Sequence, residues 1–291
     1  MSYEVLARKY RPIDFNEVIG QDHVVKALIN SINQEKIHQA FIFSGTRGIG
    51  KTTIARILAK CLNCESSSKP TPDPCNECSN TKEISTGRSV DFLEIDAASN
   101  TQVEKIRDLI ETVEYKPAKA RFKIYLIDEV HMLSPASFNA LLKTLEEPPP
   151  HVIFIFATTN PEKIPKTVQS RCLQLNLKTV DEEILSSHLK KILEKEKINY
   201  DNDSVSLIAN TANGSVRDGL TLLDQAIAYG NGELLKEDVK ALLGTIDNSL
   251  LIELIGSVID GNGKKTFDLL SQIEELTPEY DNILKLSLIH I

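Results

Sequence analysis

Gly45, Gly50, Lys51 and Thr52 stand at the spacing G-x-x-x-x-G-K-[ST], a pattern that binds the phosphates of a nucleotide. Gly45, Thr46, Arg47, Gly48, Ile49 and Gly50 would form a loop whose backbone N–H groups turn inward around the phosphates. Lys51, Thr52 and Thr53 would open a helix whose N-terminus adds positive potential. Lys51 is expected to reach the β- and γ-phosphates of ATP, and the Thr52 hydroxyl to ligate Mg²⁺. Further along, the apolar run Lys123–Asp128 ends in Asp128-Glu129. Alone, such a pair also suits a solvated turn. Downstream of a phosphate loop, Asp128 would position the Mg²⁺ and Glu129 would polarise the attacking water as general base.

A second kind of chemistry is offered by Cys61-x-x-Cys64 and Cys75-x-x-Cys78, separated by the polar, proline-rich stretch ESSSKPTPDP. Two close cysteine pairs are the ligand pattern of a tetrahedral structural Zn²⁺ site. The alternatives are disulfides, disfavoured in a reducing compartment, or unrelated thiols. Four protein ligands would leave no open position for catalysis, so the expected role is structural. Cys172 lies far off in sequence, and the six histidines show no metal spacing.

These residues need elements to hold them. Ala40–Phe43 is a short apolar run suited to a buried strand, and Thr53–Lys60 has helical apolar spacing, so strand, loop and helix surround the glycines. Asp91–Asp96, Lys123–Asp128, His151–Ala157 and Leu173–Leu177 read as further short strands. Asp22 is read as the cap of an amphipathic helix to about Glu35, 102–115 and Ser137–Glu147 as two more, and residues 1–21 as an irregular entry. Short apolar strands alternating with helices predict a parallel α/β sheet with ligands at the strands' carboxyl ends. From Asp181 the pattern turns all-helical: Glu182–Glu196, Asp203–Ala212, Ser215–Tyr229, Glu237–Leu243, then Leu250–Ile259, Lys264–Glu275 and Tyr280 onward. The final apolar stretch stops abruptly, as a fragment of a longer chain would.

Composition bounds the rest. Hydrophobic content of 41% and charged content of 25% in 291 residues suit a globular protein of two or three domains. No apolar run approaches a membrane span, and the N-terminus has no signal-peptide core, so a cytoplasmic chain without membrane contact is expected. The net charge of −8 is uneven. Residues 1–180 carry 23 Lys+Arg against 21 Asp+Glu, and residues 181–291 carry 10 against 20. A polyanion would meet the first part, and the acidic second part suits protein contacts.

Several signals then line up in order: Tyr10-Arg11-Pro12-x-x-Phe15, the phosphate loop, the cysteine knuckle and Leu126-Ile-Asp-Glu-Val-His131. Asn139-Ala-Leu-Leu-Lys-Thr-Leu-Glu-Glu147, Ala157-Thr-Thr159, Ser170-Arg171-Cys172 and Gly214-Ser-Val-Arg217-Asp218 complete the set. Together they resemble the gamma/tau family of bacterial DNA polymerase III, the ATP-driven motor of the replicative clamp loader, from residue 1 to about 245 and more faintly beyond. The resemblance implies an AAA+ P-loop NTPase fold: an α/β domain over 1–179 with the zinc knuckle inserted at 61–81. A helical lid would follow over 180–244, then the start of a helical collar over 245–291. It implies that Thr159 is the sensor on the attacking water or γ-phosphate and that Arg217 is the second sensor, reaching back from the lid. It makes Arg171 an arginine finger entering a neighbouring subunit's site; on residues alone Arg171 reads as a solvated or ion-paired arginine before a strand. The implied partners are delta, delta-prime and further gamma/tau copies, a sliding clamp, primed DNA gripped by its backbone, and the polymerase core. No polymerase active site is identifiable, so the chain's own chemistry would be ATP hydrolysis, although the family is classed with DNA-directed DNA polymerase. One departure stands out: the family's knuckle reads Cys, then Cys-x-x-Cys-x-x-Cys, and here Thr81 takes the last place. Cys61, three residues before Cys64 on one helix face, is the expected replacement. The competing functions are another DNA-dependent AAA+ motor or a helicase, since Asp128-Glu129-Val130-His131 fits D-E-x-H, and a nucleotide-gated scaffold that barely hydrolyses ATP.

Overall fold

The computed structural model describes residues 4–99, 103–243 and 248–275. In chain order its helices are α1 (Leu6–Lys9), α2 (Asp22–Asn33), α3 (Lys51–Asn63), α4 (Ser79–Thr86), α5 (Val103–Val113), α6 (Pro135–Glu146) and α7 (Lys166–Gln169). They continue with α8 (Glu182–Glu196), α9 (Asn202–Thr211), α10 (Val216–Tyr229), α11 (Lys236–Leu243), α12 (Asn248–Ile259) and α13 (Gly263–Glu275). The strands are β1 (Ala40–Ser44), β2 (Phe92–Asp96), β3 (Lys123–Asp128), β4 (Val152–Thr158) and β5 (Leu173–Asn176). The described residues form two compact units, one within 1–185 with 212–220 and one within 186–211 with 221–275.

The first unit holds one five-stranded sheet in the order β2-β3-β4-β1-β5, every pairing parallel. Parallel strands need long crossovers, which the helices supply, and both faces are therefore covered. The period-two alternation of side chains divides the core accordingly. Phe41, Phe43, Ile124, Leu126, Ile153 and Ile155 face one layer with Leu28 of α2 and Ile54, Ile57 and Leu58 of α3. Ile42, Tyr125, Ile127, Phe154 and Phe156 face the other with Ile106 of α5 and Phe138 and Leu141 of α6. Tyr125 of β3 and Phe154 of β4 stack at 5.4 Å across the two strands, and Phe156 continues the stack along β4 at 6.0 Å from Phe154.

Register decides function here. Ser44 is level with Thr158, Phe156 with Ile127, and Asp96 with Asp128. The ends of β1, β4, β3 and β2 thus form one rim, and β1 sits beside β4 rather than β2 because the chain reverses its winding there. That crevice is where open α/β sheets bind ligands.

In the second unit, Asp201 accepts from the backbone N–H of Ser204 at 2.6 Å and of Lys236 at 2.7 Å, which ties the starts of α9 and α11 together. The hairpin of α12 and α13 meets through Ser257 and Thr266, whose hydroxyls are 3.0 Å apart.

Four local expectations are corrected. Asp22 is the first residue of α2 and caps nothing; Gln21 holds the cap position, its amide instead bonding the Lys178 backbone in both directions. The entry segment contains α1, with buried Leu6. An unanticipated α4 follows the second cysteine pair. The Ser134 side chain, ahead of Pro135, accepts from Ser137 N–H and starts α6 at Pro135, two residues before the apolar pattern suggests. The segment expected to be helical from Tyr280 lies outside the described residues. Among the described residues no helix is long and apolar enough to cross a membrane.

Candidate nucleotide and metal sites

β1 delivers the chain to Gly45, and Gly45, Gly48 and Gly50 take φ of 142°, 79° and 104°. A side chain is excluded at Gly45 by space as well as conformation: a Cβ there would lie 2.5 Å from Ile49 Cδ1 and 2.7 Å from the Leu177 carbonyl. Ile49 is buried beneath the loop while Thr46 and Arg47 are exposed. Lys51 Nζ donates to the carbonyls of Gly45 at 2.8 Å and Thr46 at 2.9 Å, which holds the ammonium under the loop. Burial lowers its pKa, and the carboxylates of Glu129 and Asp128 oppose that shift. Thr52 Oγ1 donates to Asp128 Oδ2 at 2.9 Å. A hydroxyl and a carboxylate converging at the rim are hard oxygen ligands of the kind Mg²⁺ takes. Thr53 Oγ1 accepts from Arg11 Nε at 3.2 Å.

Glu129 is held in the left-handed region, φ 47° and ψ 44°, a conformation that a glutamate keeps only when its surroundings enforce it. Its Oε2 accepts from the Thr159 hydroxyl at 3.1 Å and from the Thr159 N–H at 3.3 Å. His131 Nδ1 lies 3.3 Å from the same oxygen and 3.1 Å from the Thr158 hydroxyl. Arg217, at the start of α10, donates its backbone N–H to the Gly48 carbonyl at 3.2 Å, so the residue expected as second sensor adjoins the loop within the first unit.

Lys51, Thr52, Asp128, Glu129, Thr159 and the Arg217 backbone therefore gather at one rim. Arg171 does not join them. Its guanidinium bonds the Thr167 carbonyl and the Glu146 carboxylate, both at 2.6 Å, on the surface where α7 meets α6. Sequence reasoning did not name Arg11, Thr158 or His131 as site residues. Arg11 is drawn below the usual guanidinium range chiefly by burial and then by Arg56, with Arg217 adding to the shift and Glu94 and Asp128 opposing it, so it belongs to the charge cluster around the loop. Its Arg-Pro context and the histidine of Asp-Glu-Val-His were the available signals.

At the other end of α3 the thiols of Cys64, Cys75 and Cys78 lie within 4.8 Å of one another, and Cys64 and Cys75 sulfurs are 3.5 Å apart. Zinc–thiolate bonds of about 2.3 Å in a tetrahedron place sulfurs about 3.8 Å apart, so the three fit zinc. The N–H of Cys75 donates to Cys64 Sγ at 3.3 Å and that of Cys78 to Cys75 Sγ at 3.4 Å, arrangements that favour thiolate. Backbone N–H bonds from Glu77 and Cys78 bring Cys75 down to about 6. Arg121 binds the carbonyls of Leu62 (2.7 Å), Cys64 and Ser67, and Asn63 pairs with both backbone groups of Phe122 at 2.9 Å. The knuckle is thereby anchored to the start of β3.

Cys61, the expected fourth ligand, does not lie with these three. The helix α3 continues to Asn63 and puts Cys61 in the apolar core, where its thiol donates to the Pro72 carbonyl at 3.4 Å and burial raises its pKa far above the usual thiol range. The shared-face argument fails because Cys64 itself has left the helix, with φ −63° and ψ 126°.

Residues 20–181 match the family described as DNA polymerase III, delta subunit, and residues 184–232 match the DNA polymerase III clamp loader subunit, ATPase lid domain. The chain is 52% identical to DNA polymerase III subunit tau of Salmonella typhimurium, over all of this chain and 45% of that protein. It is 50% identical to DNA polymerase III subunit gamma of Buchnera aphidicola subsp. Acyrthosiphon pisum, over 98% of this chain and 78% of that protein. It spans about half the length of the tau relatives it matches. Among solved structures, the Thermotoga maritima RuvB Holliday junction branch migration motor superposes with a TM-score of 0.61 at 17% identity, over 96% of this chain and 91% of that one. At that identity the likeness establishes the fold alone.

Proposed function

Since the chain belongs to the DNA polymerase III gamma/tau family, we propose that it is the ATPase motor of a clamp loader, using ATP binding to open a sliding clamp and hydrolysis to release it on primed DNA. The observation that carries this reading is the Thr52–Asp128 contact of 2.9 Å with Glu129 next in sequence and bonded to Thr159, all on the rim of one parallel sheet.

ATP takes its place over the loop 45–50, with Lys51 on the β- and γ-phosphates. Thr52 and Asp128 would hold Mg²⁺, which supplies charge neutralisation on the phosphate oxygens. Glu129 orients and deprotonates the attacking water. The Thr159 hydroxyl has one proton, and the bond it makes to Glu129 competes with a bond to a γ-phosphate. Capture of that hydroxyl by nucleotide would remove one of the bonds that hold Glu129 Oε2, so that base activation follows correct binding. Arg217 senses the γ-phosphate from α10. Arg171, remote from its own loop, serves the site of a neighbouring subunit, where a trans arginine contributes about 10³–10⁵ in rate.

The remaining assignments rest on the same reading. Residues 1–179 form the ATP-binding domain, 180–244 the lid and 245–291 the start of a collar. The partners are delta, delta-prime and other gamma/tau copies, the sliding clamp, the polymerase core, and primed DNA held through its phosphates without base reading. The three knuckle thiolates hold a structural Zn²⁺, and the chain works in the cytoplasm. A helicase of the two-motor type is not favoured, because the described residues contain a single sheet.

Steady-state ATP hydrolysis, with and without the other loader subunits, clamp and primed DNA, tests the proposal. Stimulation by the full set that disappears in Arg171→Ala is expected. Equal hydrolysis by wild type and variant under every condition would refute the shared-site mechanism.

A further inference from the structure

Three thiolates do not complete a zinc tetrahedron, and a buried hydroxyl, that of Thr81, stands next to one of them. Thr81 lies three positions after Cys78 in the first turn of α4, is completely buried, and places its Oγ1 3.2 Å from Cys78 Sγ. That hydroxyl donates its proton to the Cys78 carbonyl at 3.1 Å, which leaves oxygen lone pairs to face the cluster. Cys61 is packed into the core and bonded to Pro72. Ser66 Oγ lies 2.9 Å from Cys64 Sγ, but Ser66 is exposed to solvent whereas Thr81 is buried.

We propose that this centre binds zinc through the thiolates of Cys64, Cys75 and Cys78 with an oxygen in the fourth position, supplied by the Thr81 hydroxyl or by a water that it holds. The inference rests on the reading of the knuckle as a zinc site and changes its character. Three thiolates around Zn²⁺ leave a net charge of −1 instead of the −2 of a four-thiolate site. A neutral oxygen is also a weaker partner for this borderline-soft ion than sulfur. The fourth position is therefore exchangeable, and the metal is released more readily than from four thiolates. Cys75 and Cys78 are only partly buried, so a competing ligand can reach the ion from their side.

The test uses the full chain purified with Zn²⁺ and, in parallel, with Co²⁺ in its place. X-ray absorption of the wild-type zinc protein is expected to give three sulfurs and one oxygen or nitrogen, a result that needs no variant. Cys61→Ala should keep one metal per chain and an unchanged cobalt spectrum. Thr81→Cys should convert the shell to four sulfurs and slow metal transfer to a colorimetric chelator by about tenfold or more. Four sulfurs in the wild type, with one lost in Cys61→Ala, would overturn the oxygen-ligand assignment while leaving the zinc reading intact. Absence of stoichiometric zinc from the wild type would overturn both.

Discussion

Gly48→Ala tests whether the phosphate loop and the start of α10 are one mechanical piece. A Cβ on Gly48 would lie 2.0 Å from Ser215 Oγ, 3.2 Å from Ser215 Cβ and 3.3 Å from Arg217 Cβ. The hydroxyl can escape only by rotating, and it then abandons the Asp218 N–H that it accepts at 3.2 Å. Loss of that cap costs about 1 kcal/mol. The backbone adds its own cost, since φ is +79° and an alanine in that region loses about 1–2 kcal/mol. The variant should therefore be about 2–3 kcal/mol less stable. For a unit of this size that lowers the melting temperature by roughly 5–10 °C. Ser215→Ala alone should lose the cap, about 1 kcal/mol. The double variant should match Gly48→Ala rather than the sum of the two, because the cap can be lost only once. The cycle thus has a coupling of about 1 kcal/mol. Thermal melts of the four proteins, each with and without ATP and Mg²⁺, read both terms. The displaced Arg217 should also shrink the nucleotide-induced rise in melting temperature in Gly48→Ala. A Gly48→Ala protein that melts within a degree of wild type, or strictly additive variants, would refute the argument that this contact is tight.

Glu129→Gln should keep nucleotide binding and lower hydrolysis by about 10²–10⁴-fold, measured by single-turnover phosphate release; unchanged turnover would favour a nucleotide-gated scaffold. Lys51→Ala removes a buried ammonium with two carbonyl partners, and ATP affinity by isothermal titration should fall about 10- to 100-fold with the fold retained by circular dichroism. Asp91 is buried and accepts from the N–H groups of Ala118, Lys119 and Ala120 at 2.8–2.9 Å, so Asp91→Ala should cost about 3 kcal/mol in urea unfolding, far from any chemistry. Arg171→Ala breaks a half-exposed pair with Glu146 and should change the melting temperature of the isolated chain by no more than about 1 kcal/mol allows.

Much of the architecture was legible because it depends on local chemistry. Ala40–Phe43 is apolar without alternation, which is what a strand covered on both faces requires, and it leads directly into glycines that only a tight loop needs. The helix over Glu182–Glu196 was read to the residue because polar turns bound it on both sides. Where local signals were weak, the reading slipped. The helix α4 has neither a strong apolar stripe nor a side-chain cap, and α1 is only four residues long.

By itself the sequence determined the phosphate loop, the acidic pair Asp128-Glu129 and the alternation of strands and helices, since each is written in consecutive residues. The tertiary structure alone decided which distant groups meet. Parallel register brings Thr52 to Asp128 across 76 positions and Glu129 to Thr159 across 30, distances that no local propensity encodes. The same holds for the metal centre. Spacing offered Cys61 as the replacement ligand, but a helix that runs three residues past Lys60 turned that thiol into the core and left Thr81 beside Cys78 Sγ. Identity of residues sets which chemistry is available, and packing sets which of them share a site.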